Sequence, residues 1–215
     1  MGKTRSMIDD EARRFIEAQH IFFVASAPLD PGGHVNLSPK GLDTFRILGP
    51  ATVAYLDFNG SGVETIAHLK ENGRIVLLFC ALQGPPNIFR LYGLGRAVEP
   101  HQDEFADFAA NFPAYETMRS IIVVELTRVT DSCGYGVPRF KYEGERDQLA
   151  AWARKQGPDG LQAYRERKNQ VSIDGLPGLS LPSQAAHEPP IHKSDQQKHD
   201  RQKHDRQKDD RKEVV

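Results

Sequence analysis

The sequence predicts a mainly β protein: six strands in a mostly antiparallel barrel, with helices at the periphery. Three observations carry this expectation. Short runs of apolar, β-branched and aromatic residues recur between turn-rich segments. Connections such as Pro28–Gly33 and Gln83–Asn87 are too short for the crossover that a parallel pair needs. Helical patterns fall between some of these runs but not all, so the chain does not read as repeated β-α-β.

In order along the chain, Asp9–Gln19 reads as a short helix. Ala12, Phe15, Ile16 and Gln19 share one face, and Asp9-Asp10-Glu11 suit the positive N-terminus. Ile21–Ala27 is a continuous apolar run, hence a buried strand, and His34–Ser38 alternates as its hairpin partner. Ala51–Asp57 is a third strand. Ser61–Asn72 is a helix with Ile66 and Leu69 facing in, and Gly73 follows its C-terminus. Arg74–Cys80 is the most hydrophobic strand. Ile88–Val98 is the fifth, where Gly93 and Gly95 point to a bend or a close approach by another group. Gln102–Phe112 is helical with Phe105, Phe108 and Ala109 inward, and Ser120–Val129 is a long sixth strand. Glu145–Lys155 and Leu161–Arg167 are helical, and Asn169–Pro182 is extended with turns.

The 215 residues fit one domain with a sizeable core plus extensions. Net charge is −1, which offers no global field to nucleic acid or an anionic membrane. Mean hydropathy is −0.54, pulled down by a polar C-terminus. From Ser194 to Val215 there are seven Lys/Arg and six Asp/Glu, and Lys-His-Asp-Arg-Gln occurs twice in tandem. Such a stretch cannot bury enough apolar area to offset chain entropy. The expected organisation is a domain over residues 1–182 and a disordered charged tail over 183–215. The N-terminus carries no apolar h-region and no run reaches the length of a membrane span. A cytoplasmic setting with Cys80 and Cys133 as thiols is therefore expected. His192, His199 and His204 follow no common zinc spacing, so no metal site is expected.

Two stretches carry chemistry. Asn36-Leu37-Ser38-Pro39-Lys40-Gly41 carries a lysine at Lys40, and its Ser38-Pro39-Lys40-Gly41 by itself reads better as a strand end and turn than as a site. Asp57-Phe58-Asn59-Gly60-Ser61-Gly62-Val63-Glu64-Thr65 contains, at Ser61–Glu64, the S-x-x-E form of a capping box. The competing reading is an anion site, with glycines keeping side chains away from the free N–H groups at a helix start. If the second and third strands are neighbours, Lys40 meets this corner, and a phosphate monoester suits the combination. Arg90, between Phe89 and Leu91, is either an exposed-face residue or a fork for phosphate or a carbonyl oxygen. No acid–base residue stands out.

The segments NLSPKG, YLDFNGSGVETIAHLKENGRI, FRLYGLGRAV, SCGYGVP and NQVSIDGLPGL, spanning residues 36 to about 181, resemble the pyridoxamine 5'-phosphate oxidase-like superfamily of FMN-binding split barrels. Within it the chain is most similar to a bacterial and fungal group of predicted flavin-nucleotide-binding proteins. The resemblance implies a homodimer with FMN at the subunit interface. It lays Asn36, Leu37, Ser38, Lys40 and Gly41 along the flavin, with Tyr55 and Leu56 on the next strand. Gly60, Ser61, Gly62 and Thr65 fall at the phosphate, and Arg90 against the flavin. Two departures stand out. The oxidases carry Ser-Arg-Lys at the phosphate-binding helix start, where this chain has no cation. Their Arg-x-His substrate grip has no counterpart near Asp174-Gly175-Leu176-Pro177. The implied activity is an oxidoreductase working through FMN on an unidentified small molecule. The alternatives are a non-catalytic flavin- or haem-binding module, or a deazaflavin in place of FMN.

Overall fold

A computed structural model describes residues 2–180 of the chain. The strands are β1 (Thr4–Arg5), β2 (Phe22–Ser26), β3 (Asn36–Lys40), β4 (Phe45–Ile47), β5 (Thr52–Phe58), β6 (Arg74–Cys80), β7 (Ile88–Val98) and β8 (Met118–Ser132). They form one antiparallel sheet in the order β3-β2-β6-β7-β8-β5-β4, with β1 paired to β8. Four helices accompany them: α1 (Asp10–Glu17), α2 (Glu64–Asn72), α3 (Phe105–Ala109) and α4 (Gln148–Lys168). Eight strands replace the expected six. The additions, β1 and β4, are two and three residues long, too short to show an alternating pattern. The 183–215 tail lies outside the described residues.

The sheet curls until its ends meet through side chains. Phe22 of β2 packs against Phe45 of β4 and Tyr55 of β5, with ring centroids 5.4 and 5.6 Å apart. No ladder joins β3 to β4 among the described residues, so the barrel is split along that seam. Alternation places the core. In β2, Phe22, Val24 and Ser26 face inward, and in β7 Phe89 and Leu91 do the same. β5 and β8 are buried on both faces. Tyr55, Ile122 and Val124 join the barrel interior, while Ala54, Leu56, Ile121 and Val123 pack against Phe105, Phe108 and Phe112 around α3. This is why Ile121–Val124 reads as an unbroken apolar run.

Local signals mostly act where they occur. Asp9 caps α1, its Oδ1 accepting from Ala12 N at 2.8 Å, and Ala12 and Ile16 are buried. Gly73 ends α2 in the left-handed region, φ 71°. The bend expected at Gly93 is a register shift between Tyr92 and Gly93, where a Cβ would sit 2.7 Å from Val124 Cγ1. α4 joins the two helices expected separately, with a non-helical break at Gly157, φ 65°.

Two expectations need correction. α2 begins at Glu64, not Ser61; its N-cap is Val63 and no side chain caps it. Strands β3 and β5 are not neighbours but lie near opposite ends of the sheet path, so curling, not pairing, brings Lys40 toward Gly60.

Candidate functional site

Edge strand β3 sends alternate side chains to opposite sides. Val35 and Leu37 face solvent, 74% and 66% exposed. Asn36, Ser38 and Lys40 face the split seam, where they line a cleft of about 600 Å3 together with Gly60, Ser61, Gly62 and Thr65. Asn36 Nδ2 donates to Thr65 Oγ1 at 2.9 Å, and Ser38 Oγ donates to Asn36 Oδ1 at 3.2 Å. These bonds tie the edge strand to the start of α2.

Beneath the cleft lies Asp57, whose side chain is 1% exposed. Its Oδ1 accepts from Lys40 Nζ at 3.1 Å and its Oδ2 from Arg119 Nε at 2.7 Å. Burial pushes the carboxyl up, but the charges and hydrogen bonds of Arg119 and Lys40 outweigh it and hold the group below the usual carboxylate range. Burial, with Asp57 close by, pushes the Tyr55 phenol well above its ordinary value. Its hydroxyl is buried with no partner among the described residues, and Lys40 Nζ lies 5.8 Å from the centre of its ring.

The 59–63 loop is held by its carbonyls. Gly60 O accepts from Asn169 Nδ2 at 2.9 Å and Gly62 O from Arg119 Nη1 at 2.8 Å. Asn59 Oδ1 accepts from Arg165 Nε at 2.9 Å. With the carbonyls turned into the protein, the N–H groups of Ser61, Gly62, Glu64 and Thr65 take no partner among the described residues. Glu64 folds back over Gly62, its Cδ only 2.9 Å from where a Cβ would be, whereas a Cβ at Gly60 would meet only Phe58 O, at 3.9 Å. The free approach to the loop is therefore from the Gly60 side.

A third wall comes from the segment after α4. Val171, Ser172 and Ile173 line the cleft. Asp174 accepts from the backbone N–H of His34 at 2.9 Å and lies 2.6 Å from its Nδ1. The hydrogen bonds from His34 hold the Asp174 carboxyl below its ordinary range.

Seven of the twelve expected residues thus meet in one cleft. The other five lie elsewhere. Leu37 faces outward. Gly41 and Leu56 border a second cavity on the far side of Lys40. Tyr55 is in the core. Arg90 projects from the face of β7 opposite Phe89 and Leu91, donates to Ser132 Oγ at 3.0 Å, and does not line the cleft. Sequence reasoning placed Asp57 in a chemistry-bearing stretch without giving it a role, and missed Arg119 and Asn169. Asp57 ends one apolar run and Arg119 starts another, 62 positions apart. A charge at the end of a buried strand was the available signal.

The architecture is that of an antiparallel barrel split along one seam, with a polar cleft at the opening. A model of the pyridoxamine 5'-phosphate oxidase family matches residues 8–133. The pyridoxamine 5'-phosphate oxidase family protein ustO of Aspergillus flavus is 36% identical over 189 residues, 80% of this chain and 76% of that protein. The chain belongs to the pyridoxamine 5'-phosphate oxidase family. Among solved structures, HupZ of Group A Streptococcus aligns at 21% identity and TM-score 0.45, over 57% of this chain and 92% of that one. An FMN-binding protein of Syntrophomonas wolfei aligns at 19% identity and TM-score 0.40, over 61% of this chain and 87% of that one. No helix among the described residues is long and apolar enough to cross a membrane.

Proposed function

We propose that this protein is an FMN-dependent oxidoreductase that holds the phosphate end of the cofactor in the seam cleft. The observation that carries the reading is the convergence of Asn36, Ser38 and Lys40 with the unpartnered N–H groups of the Ser61–Thr65 turn. This donor set fits a phosphate monoester: one ammonium, three hydroxyls, an amide and several backbone N–H groups. Arg119 lines the same cleft, which supports it as the source of the positive charge that the helix start lacks. When bound, FMN would supply hydride or electron transfer to a small molecule. The chain's own residues bind and orient. Asp57 fixes the ammonium of Lys40 and the fork of Arg119, and Thr65 and Asn36 lock the strand to the helix.

Family membership supports a homodimer with the cofactor at the interface. Exposed Val35, Leu37, Val171 and Ile173 around the cleft suit such a contact. A cytoplasmic setting belongs to the same reading, with Cys80 and Cys133 both free.

One observation favours a second reading, a flavin- or haem-holding module without turnover. The buried carboxylate of the cleft, Asp57, is fully engaged by two cations, which leaves it no role as an acid or base. A visible spectrum of the purified protein, followed by anaerobic addition of NADH or NADPH and then air, separates these. The expected result is a flavin spectrum that bleaches with a donor and recovers in oxygen, with FMN released on denaturation. A flavin inert to donors supports the module, and a Soret band supports haem. A colourless protein that takes up no added FMN overturns the assignment.

A further inference from the structure

Strands β5 and β8 slip past each other by one residue at the edge of the cleft. Asp57 pairs with Ser120 and Phe58 with Met118, so Arg119 sits in a bulge opposite no residue of β5. A bulge re-aims the side chain it carries. Here it sends Arg119 to Asp57 Oδ2 and to Gly62 O. What braces this bulge comes from α4, which lies wholly beyond residue 133, where the family match ends. Arg165 Nε donates to Asn59 Oδ1 at 2.9 Å and Arg165 Nη2 to Met118 O at 3.2 Å. One guanidinium therefore spans both flanks of the bulge, the end of β5 and the start of β8.

Asn169 follows one helical turn later, so it shares a face with Arg165. Its N–H closes α4 on Arg165 O at 2.8 Å, and its buried Nδ2 donates to Gly60 O at 2.9 Å. Both residues are left with something unmet. Arg165 is half-buried, its two acceptors are neutral, and no carboxylate pairs with it among the described residues. Burial, and then the nearby charge of Arg119, push its guanidinium below its ordinary value. Lys40 and Arg119, by contrast, share Asp57. Asn169 Oδ1 is buried with no partner among the described residues, because the amide is turned to put Nδ2 on the loop carbonyl. An unpaired cation behind the loop and an unpartnered buried oxygen each carry a cost that calls for an explanation.

We infer that Arg165 and Asn169 are positioning residues for the phosphate, acting through the Arg119 bulge and the 59–62 loop in place of the cations absent from the α2 start. This role rests on the reading of the cleft as a phosphate site. Neither residue lines the cleft, so both act through others. Arg165 fixes where Arg119 emerges from the sheet. Asn169 keeps Gly60 O turned into the protein, which leaves the neighbouring N–H groups facing the cleft. An anion in front of the loop also relieves the repulsion between Arg119 and Arg165 behind it. The α4 extension is then part of the binding machinery and not an appendage to the barrel.

The test compares FMN with riboflavin, which lacks only the phosphate, by fluorescence titration of the full chain. Arg165→Gln and Asn169→Ala should each cut the preference for FMN over riboflavin about tenfold, the value of a misplaced charge-assisted donor, while riboflavin affinity stays within about twofold. Arg165→Lys returns the charge without the fork and should recover only part of the preference. General damage to the fold weakens both flavins alike, so a wild-type ratio in Arg165→Gln and Asn169→Ala overturns the inference. A wild-type ratio in Arg165→Lys overturns it as well, and this milder variant decides the matter if the neutral ones do not fold. A wild-type chain that binds neither flavin removes the cofactor reading, and inorganic phosphate then serves as the probe. Phosphate should raise the melting temperature of wild type more than that of Arg165→Lys or Arg165→Gln, and an equal response in all three overturns the positioning role.

Discussion

Replacing Asp57 by asparagine tests the centre of the cleft. The carboxylate is buried between Lys40 Nζ at 3.1 Å and Arg119 Nε at 2.7 Å, and Arg119 is itself only 6% exposed. Asp57→Asn keeps the shape of the side chain but leaves two cations facing a neutral amide. Removing one member of a buried ionic cluster costs about 3–5 kcal/mol, mostly because the remaining charge is left uncompensated. For a domain of this size that is a melting temperature roughly 6–20 °C lower. The assay is thermal and urea unfolding by circular dichroism, on Asp57→Asn, Arg119→Met and the double variant. The double variant should cost less than the sum, with a coupling of at least about 1 kcal/mol. The pH dependence has a definite sign. The folded-state pKa of Asp57 is depressed, so its contribution is full above the unfolded value and is lost as pH falls through the folded one. Wild type and Asp57→Asn should therefore differ at neutral pH and begin to converge only below about pH 4, as pH falls toward the depressed folded value. A variant melting within about 2 °C of wild type, under about 1 kcal/mol, would refute the claim that this carboxylate organises the site.

Further outcomes rest on the same geometry. Lys40→Ala should weaken FMN retention about 10–100-fold, the value of a charge-assisted hydrogen bond, measured by flavin fluorescence; unchanged affinity removes Lys40 from the site. Thr65→Val should weaken it less, about fivefold, since one neutral hydroxyl is lost along with the acceptor for Asn36 Nδ2. FMN affinity should change less than about threefold between low and moderate salt, because Lys40 and Arg119 are matched by Asp57 and Glu64 in the cleft wall. A chain ending after Leu181 should keep its flavin, whereas one ending after Lys168 should lose it, since Val171–Ile173 wall the cleft; equal retention in both would put that segment outside the site.

Much of the fold is legible in the sequence because it rests on short-range patterns. The alternation of Phe22, Val24 and Ser26, the left-handed Gly73 and the crowded Gly93 each act within a few residues of where they stand. The start of α2 is misleading for a physical reason. Ser61-Gly62-Val63-Glu64 satisfies a capping box locally, but Asn169 and Arg119 bind the carbonyls of Gly60 and Gly62 and draw the loop into another path. Neither partner is near in sequence. The meeting of Lys40 with the Gly60 corner is expected through a strand pairing that does not exist; curling of the sheet brings them together instead. Arg90 attracts notice as a charge among apolar neighbours, and the same alternation that buries Phe89 and Leu91 turns it away from the seam.

A buried aspartate beneath the proposed phosphate site is at first sight self-defeating, since it cancels the positive charge a phosphate would seek. The geometry resolves the conflict. A flexible lysine near a wet cleft is attracted to an anion but gains little from it, because ordering its side chain consumes much of the Coulomb energy. With Asp57 in place the ammonium of Lys40 is already ordered, and the fork of Arg119 is pinned against Gly62 O. Long-range attraction is exchanged for directional donors at fixed positions. Such a site discriminates by shape and hydrogen-bond count more than by charge. It would therefore prefer a phosphate or sulfate monoester, whose three terminal oxygens reach several donors at once, over a carboxylate of comparable size. The absence of a cation at the α2 start is then compatible with phosphate recognition, because the turn contributes N–H groups and the opposite strand contributes the charge.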